Sequence, residues 1–273
     1  MVTVVLRDIS KAFDKIWHSG LIFKLLQLGL NVNLMRTLAN FLSNRKANIK
    51  VNNTKGTIFN LHAGVPQGDV HSPTLFLIMC NDYPDPTFTR TIRNFCKQYA
   101  DNFTQVIVNK FTGHINDRRR EIHRQNVQDE INRQNNYENK WKLKTNIEKF
   151  CIILMGFRKT SPIQIGNQMK EYQNEGKILG LTFTRNNFMV KHIKKTIEKA
   201  NMVQKQLYRF QLLNKNLKLR LYKTLILPII LYPVIPIHAC SNSQLKKLQI
   251  VQNNAVRWIC NDRYPNRQPL DIH

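Results

Sequence analysis

Hydrophobic positions near the start of the chain switch between the spacing of strands and the spacing of helices. Residues 2–6 are all apolar or β-branched, which is typical of a strand covered on both faces. Residues 21–28 and 34–41 follow helical spacing, and Gly29 separates the two segments. One strand followed by two helices predicts an α+β fold.

Turn-forming residues mark a hairpin and then a tight loop. Asn52 and Asn53 lie between residues 48–51 and 58–61, two segments suited to strands. This arrangement predicts a hairpin that turns at the two asparagines. A loop rich in glycine and proline follows, and then a helix that starts with proline: Gly64, Pro66, Gly68 and residues 73–82.

A second hairpin is followed by a long polar segment. Residues 95–100 and 103–108 flank Asp101 and Asn102, which predicts a two-residue turn with a carboxylate at its tip. Residues 116–140 are highly charged and contain neither glycine nor proline, so we expect an exposed helix with solvated charges. Strands are predicted at residues 151–157 and 178–183.

From residue 189 onward the apolar positions keep helical spacing. They fall into three groups, which predict a tail of three helices. The groups are Ile193, Ile197 and Val203; Leu217, Leu221 and Leu225; and Leu245, Leu248, Val251, Ala255 and Ile259.

The net charge of the chain indicates what kind of partner it binds. The 273 residues include 42 Lys and Arg against 17 Asp and Glu, a net charge of +25. Residues 185–273 alone carry sixteen basic and three acidic side chains. Such an excess favours binding to polyanions, nucleic acid first, and disfavours a purely structural helical scaffold.

The sequence contains no apolar opening segment that would act as a secretion signal, and its longest apolar run, residues 225–237, is too short to span a bilayer. The five cysteines are odd in number and widely separated, so their spacing predicts neither a disulfide framework nor a zinc site. We therefore expect an intracellular protein, nuclear or cytoplasmic, with no membrane partner. The oligomeric state stays open.

Two carboxylates stand at structurally special places. Asp8 follows a buried strand and Asp101 lies at a hairpin tip. Brought together, they could hold Mg²⁺, which prefers carboxylate oxygens together with substrate phosphates. Residue type alone leaves the alternative that each aspartate is a turn or capping residue.

Five ordered segments resemble the motifs A to E of a reverse transcriptase. They are DISKAFDKIWH from Asp8, GVPQGDVHSP from Gly64, YADN from Tyr99, WKLKTNIEK from Trp141 and KILGL from Lys177. The likeness continues to residue 255 and is closest to the jockey-like non-LTR retrotransposons of insects.

The resemblance implies a right-hand polymerase palm, an antiparallel sheet with packed helices, over residues 1–183, and a basic α-helical thumb over residues 184–273. The expected reaction is RNA-directed DNA synthesis, in which two Mg²⁺ or Mn²⁺ ions assist nucleotidyl transfer from a deoxynucleoside triphosphate to a primer 3′-hydroxyl. Its partners are an RNA template and a DNA primer. In the family, Asp8 and Asp101 ligate both ions and the backbone carbonyl of Ile9 completes one site.

Further roles carry over by position, and those of Phe13, Lys149 and the thumb lysines each have a structural alternative. Phe13 matches the steric gate against the 2′-hydroxyl, or is a core phenylalanine. Gln67 and Gly68 match the loop that packs against the incoming nucleotide. Lys149 matches the proton donor to pyrophosphate, or is a solvated surface lysine. The lysines of the first thumb helix match a grip on nucleic-acid phosphates, or keep the helix soluble: Lys191, Lys194, Lys195, Lys199 and Lys205.

Two departures bear on activity. Asn102 replaces the third carboxylate of the family, so we expect weaker metal binding and slower chemistry. Motif A begins at Asp8, so we expect a chain truncated before motif A, without the fingers region that clamps the template in the family. The alternative function is a catalytically inactive, nucleic-acid-binding remnant of such a polymerase.

Overall fold

The computed structural model describes residues 1–84, 89, 92–156, 161–186, 189–232 and 240–261. The chain divides into two compact units, residues 1–173 and 174–273. The sequence predicts a domain boundary after residue 183, whereas these two compact units part at residue 173, before the hairpin of residues 175–184. The assignment of a palm and a thumb to these domains stays a prediction.

The first unit combines strands and helices, as the hydrophobic pattern predicts. Its strand β1 is buried at every residue except the first, which agrees with the strand covered on both faces. In chain order the elements are β1 (Val2–Asp8), α1 (His18–Gln27), α2 (Val32–Leu42), β2 (Arg45–Ala47), β3 (Lys50–Val51), β4 (Thr54–Lys55), β5 (Phe59–Leu61), α3 (Ser72–Met79), β6 (Ile92–Tyr99), β7 (Asn102–Asn109), α4 (Asp117–Lys140), β8 (Cys151–Met155), β9 (Ile163–Ile165) and β10 (Gln168–Lys170).

A four-stranded antiparallel sheet organises this unit. Its strands lie in the order β6-β7-β1-β8, with β1 between β7 and β8. One apolar cluster contains Ile9, Leu21 and Phe76, which joins the end of β1 to α1 and α3. A second cluster packs Val5 and Ile107 of the sheet against α4. The end of β1 is therefore held between two packed layers.

The polar helix α4 is not the exposed helix that its composition predicts. One face of it is buried against the sheet, and polar residues there find polar partners. The His123 imidazole lies 2.7 Å from the Thr3 hydroxyl, and the Gln134 amide donates to the Gln105 side chain at 2.8 Å. Burial of polar side chains is tolerated because these hydrogen bonds replace those to water.

Both predicted hairpins form, with changes in detail. Asn52 and Asn53 turn the chain between the short strands β3 and β4, and β2 pairs with β5 farther from the turn. The second hairpin turns at Ala100 and Asp101, because Tyr99 pairs with Asn102. The prediction that Asn102 lies in the turn is therefore wrong by one position, and this residue begins β7.

The second unit contains a hairpin and three helical segments within its described residues. The predicted strand at 178–183 is two strands, with Leu179 and Gly180 in the turn between them. The hairpin consists of β11 (Glu175–Ile178) and β12 (Leu181–Thr184). The first helical segment is α5 (Val190–Leu207) with a 3₁₀ turn (Tyr208–Phe210), the second is α6 (Lys215–Leu221) with a π-helical turn (Tyr222–Ile226) and α7 (Leu227–Leu231), and the third is α8 (Asn242–Cys260).

An apolar cluster holds the helices of this unit together. Ile193 of α5, Ile226 and the α8 residues Val251 and Ala255 are all buried in it. The predicted second helix is interrupted by the π-helical turn just before Pro228, a residue that cannot donate a backbone hydrogen bond. None of the helices in the described ranges is long and apolar enough to cross a membrane.

Candidate active site

The sheet brings the two predicted aspartates together at one end of its two inner strands, β1 and β7. Pairing of β1 with β7 places Asp8 opposite Asn102, the residue after Asp101. The Ile9 N–H donates to the Asp101 carbonyl oxygen at 3.0 Å. These four residues, Asp8, Ile9, Asp101 and Asn102, are called the carboxylate edge below.

The segment after α4 fixes the backbone of this edge. The Asn146 N–H donates to the Asp8 carbonyl, and the Ser10 N–H donates to the Lys144 carbonyl, each at 2.7 Å. Ile9 lies between these bonds as a bridge partner of Thr145. No described residue donates a hydrogen bond to the Ile9 carbonyl oxygen, although Ile9 as a whole is only 2% exposed.

Lys149 is the direct partner of the Asp8 carboxylate. Its ammonium group donates to both oxygens, at 3.1 and 3.0 Å. The Asp8 side chain is 11% exposed and the Lys149 side chain 66%. The hydrogen bond to Asp8, together with the charges of Asp8 and Asp101, raises the pKa of Lys149. An ammonium that contacts one carboxylate and feels the charge of a second is stabilised in its charged form.

The donor atoms fit a hard divalent cation in part. The Asp8 and Asp101 carboxylates and the Ile9 carbonyl are all oxygen ligands of the kind that Mg²⁺ takes. The Asn102 amide instead donates to Asp101 Oδ1 at 3.0 Å, so it competes for that oxygen. Within the described part of the chain no group of three or more His, Cys, Asp or Glu could hold a metal.

A buried ion pair supports the carboxylate edge, and the sequence reasoning missed it. Arg7, next to Asp8, contacts Glu138 of α4 and donates to the Thr145 hydroxyl at 3.0 Å. The Arg7 side chain is only 1% exposed and that of Glu138 5%. The Thr145 N–H also donates to Glu138, at 3.1 Å. A charged residue inside an otherwise apolar strand was the available signal.

The predicted nucleotide-binding residues lie on one short segment and one loop that contact each other. The Val65 N–H donates to the Phe13 carbonyl at 2.7 Å, and the Gln67 amide donates to Asp14 at 3.0 Å. Gly64 has φ +84°, and a Cβ there would lie 2.6 Å from the Asp14 carbonyl oxygen. Only glycine permits this approach of the loop.

Within this pair of segments, Phe13 and Gly68 have different surroundings. The Phe13 ring is half-buried and lies 5.4 Å from the Phe76 ring, measured between centroids. Gly68 has φ +90° and no atom within 4 Å of a built Cβ. Its backbone conformation, rather than a close neighbour, favours glycine at this position.

The five predicted lysines of the second unit are exposed on α5. At 100° per residue they fall within an arc of about 140°. Lys191 pairs with Glu175, and Lys194 is 4.0 Å from Glu198. Lys195 and Lys199 line a cavity of about 580 Å³ together with Lys177, Thr182, His192, Thr196 and Tyr232. The helix therefore presents a cationic face.

The profile of the family described as Reverse transcriptase (RNA-dependent DNA polymerase) matches residues 2–183. The chain belongs to the reverse transcriptase family. The matched residues contain the carboxylate edge and the loop of Gly64. The recognition of a non-LTR retrotransposon polymerase from the five motifs is thereby confirmed, together with the curated relatives described next.

This reverse transcriptase chain is similar to polymerases of insect mobile elements. The RNA-directed DNA polymerase from mobile element jockey of Drosophila melanogaster is 24% identical over 262 residues, 92% of this chain and 28% of the relative. The probable RNA-directed DNA polymerase from transposon BS of the same organism is 26% identical over 268 residues, 94% of this chain and 29% of the relative. The chain spans under a third of the length of these relatives.

Solved structures similar to this reverse transcriptase chain include two telomerases. Telomerase from Candida albicans, in complex with a fragment of telomeric RNA, has a TM-score of 0.47 and 13% identity, covering 95% of this chain and 46% of the other. A C-terminally truncated apo telomerase from Candida tropicalis has a TM-score of 0.45 and 14% identity, covering 67% and 34%.

Proposed function

We propose that this chain carries out RNA-directed DNA synthesis, with residues 1–183 as palm and residues 184–273 as thumb. The observation that carries the proposal is the meeting of Asp8 and Asp101 at the end of adjacent strands, linked by the 3.0 Å hydrogen bond from Ile9 to the Asp101 carbonyl. The family membership of residues 2–183 supports the same reaction.

At the carboxylate edge, Asp8, Asp101 and the Ile9 carbonyl would hold Mg²⁺ or Mn²⁺. Such ions lower the pKa of a primer hydroxyl and neutralise a triphosphate. Lys149 holds the Asp8 carboxylate while no cation is bound and, because its side chain is two-thirds exposed, it can turn toward the leaving pyrophosphate. There it would donate its Nζ proton.

The incoming deoxynucleotide would lie against Phe13 and the loop of Gln67 and Gly68. The Phe76 ring packs against the Phe13 ring, and this contact would hold Phe13 in place as a barrier to a 2′-hydroxyl. The hydrogen bond from Val65 to the Phe13 carbonyl couples the barrier to the loop. Gly68, with open space around it, lets the backbone approach a substrate.

The template and primer would be held by the lysines of α5. Lys195 and Lys199 share a cavity with Lys177, a concentration of positive charge suited to backbone phosphates. His192 adds little charge there, since burial and then the nearby Lys195 lower its pKa. This contact is independent of sequence, as a polymerase grip requires.

The alternative, a nucleic-acid-binding remnant without activity, is favoured by Asn102. This residue contributes no negative charge and directs its amide at Asp101. Loss of one carboxylate weakens the site for a hard cation, so we expect impaired rather than normal synthesis.

Primer extension on an RNA template with Mg²⁺ or Mn²⁺ tests the two alternatives. We expect weak extension that Asn102→Asp raises by about tenfold or more, because a carboxylate replaces a neutral amide at the metal site. Asp8→Ala and Asp101→Ala should each abolish it. Glu171→Ala, which removes an exposed carboxylate outside the five motifs, is the control and should leave extension unchanged.

Two outcomes would contradict this proposal, the first its polymerase activity and the second its assignment of the metal site. If no variant extends a primer while duplex binding falls steeply with salt, the chain is a binding remnant. If Asp8→Ala leaves extension intact, Asp8 does not hold a metal.

A further inference from the structure

Helices α1 and α2 leave an apolar groove open on the surface of the first unit. A cavity of about 370 Å³ lies between the two helices. Its apolar lining consists of Ile22, Phe23 and Leu26 of α1 and Ala39 and Leu42 of α2. This cavity is called the α1–α2 groove below.

The apolar side chains of the groove form a continuous exposed surface. Phe23 is 50% exposed and Leu26 54%. The Phe23 ring lies 6.2 Å from the Trp141 ring, measured between centroids, so one wall is supported by the chain beyond α4. Val32, 56% exposed, lies two turns before Ala39 on the same side of α2. Single exposed apolar residues are ordinary, whereas a contiguous set that lines a cavity indicates an interaction site.

The groove lies in a stretch of the chain without acidic residues. Residues 15–68 contain seven Lys and Arg and no Asp or Glu. Lys24 contributes little to the surface charge, because it is buried and paired with Asp82. Asp14 and Asp69, which border the stretch, each accept a hydrogen bond from the loop after β5. The surface around the groove is therefore positive.

Two arginines stand at the rim of the α1–α2 groove. Arg36 is exposed and lies one turn before Ala39, on the same side of α2. Arg45 donates to the Gly64 carbonyl oxygen at 2.6 Å, and the imidazole of His18, which lines the groove, lies 2.7 Å from the same oxygen. Neither arginine forms an ion pair with a described residue. The rim therefore offers positive charge to a ligand in the groove.

We propose that the α1–α2 groove binds an acidic amphipathic helix of a partner protein, with its apolar side chains in the groove and its carboxylates toward Arg36 and Arg45. Helices bind to apolar grooves through anchors at positions i, i+3 or i+4, and i+7. Opposite charges at the rim fix the orientation of the partner and speed its association.

The same observations disfavour two other occupants. A second copy of this chain also carries a net charge of +25, so the two copies repel each other. Nucleic acid is held mainly by contacts to its phosphates, and the walls of this groove are apolar rather than cationic.

The test measures binding of the full chain to a labelled helical peptide by fluorescence anisotropy, at about 150 mM salt. The peptide has about sixteen residues, with leucine, phenylalanine and leucine at i, i+4 and i+7 and glutamates on the remaining face. We expect a Kd of about 10 μM. One matched peptide has alanine at the three anchors and another has lysine for glutamate, and each should bind at least about tenfold more weakly.

Matched variants of exposed residues separate the groove from general surface effects. Leu26→Gln removes part of the apolar wall and should weaken binding of the acidic peptide about tenfold. Leu34→Gln, at a leucine of α2 that is 50% exposed outside the groove, should not. Arg36→Gln should weaken binding about threefold, an effect that high salt removes. Lys55→Gln, at an exposed cation of β4, should leave binding unchanged.

Several results would overturn the proposal. The acidic peptide could bind no better than the peptide with alanine anchors, or Leu26→Gln and Leu34→Gln could weaken its binding equally. If Leu26→Gln weakened binding of single-stranded RNA as much as that of the peptide, the groove would take nucleic acid instead. If sedimentation showed a dimer that Leu26→Gln dissociates, the occupant would be a second copy. The inference does not rest on polymerase activity, so a chain that binds the peptide but extends no primer would leave it intact.

Discussion

The buried interface between α4 and the sheet differs from the helical cluster of the second unit in what fills it. The α4 interface contains an ion pair, Arg7 with Glu138, and an imidazole, His123, each hydrogen-bonded to the other layer or its neighbours. The helical cluster is built largely from apolar side chains such as Ile226 and Val251. The stability of the first interface therefore depends on the geometry of its hydrogen bonds and falls when one partner is removed. The stability of the second depends on how well its side chains fill the available volume.

The largest expected effect is loss of the buried ion pair. Glu138→Ala leaves the Arg7 guanidinium, 1% exposed, without its carboxylate partner and should destabilise the first unit by about 3–5 kcal/mol. Hydrogen exchange of the β1 amides measures it. Glu121→Ala on the same helix, where the carboxylate is 60% exposed and paired with Arg124, is the control and should cost under about 1 kcal/mol. Equal losses of stability in the two variants would mean that the buried pair of Arg7 and Glu138 contributes no more than an exposed pair.

Truncation in the helical cluster should have a comparable but differently caused effect. Ile226 is fully buried, so Ile226→Ala should cost about 3 kcal/mol through lost burial and the cavity left behind. Exchange of the α8 amides measures this loss at pH 7 and pH 5, and we expect the same cost at both. A cost that depends on pH would show that polar groups contribute to this cluster as well.

Acid should destabilise the first unit through His123, and the second unit responds as well because burial lowers the pKa of His192. Burial, and then the Met1 ammonium, lower the pKa of His123 to about 4 from 6.5. The folded state therefore keeps the imidazole neutral while the unfolded chain binds a proton, so stability is complete above pH 6.5 and falls toward pH 4. The loss should reach about 3 kcal/mol in the first unit.

The variant His123→Gln removes the group responsible and should flatten this pH dependence of β1 exchange. His62→Gln, at an exposed position, should leave it as it is. If both proteins keep the slope of the parent chain, another group causes the acid sensitivity.

The smallest effect concerns the start of α8. The Ser241 hydroxyl accepts from the Gln244 N–H, and the Gln244 side chain accepts from the Ser241 N–H. Loss of this capping box in Ser241→Ala should cost about 1 kcal/mol, read from exchange in the first turn of α8. Ser241→Asp should retain most of the stability, and a loss equal to that of alanine would mean that the cap contributes nothing.

Local patterns predicted most elements but not their environments. The buried strand at residues 2–6, the two hairpins and the helical tail all form where periodicity and turn residues indicate. The exposure of α4 was predicted wrongly because periodicity counts apolar residues, and this helix buries polar ones. Partners such as Thr3 and Gln105 lie far away in sequence, so no local window contains them.

The sequence by itself determined the family, because the motifs from Asp8 to Leu181 are ordered and specific in residue type. It also determined the positive charge of the chain, which requires no knowledge of the fold. Only the tertiary structure decided that Lys149 reaches Asp8, that Arg7 is neutralised by Glu138, and that α1 and α2 leave an apolar groove open between them. These depend on strand register and on helix packing, since distances between side chains arise only when separate segments of the chain are brought together.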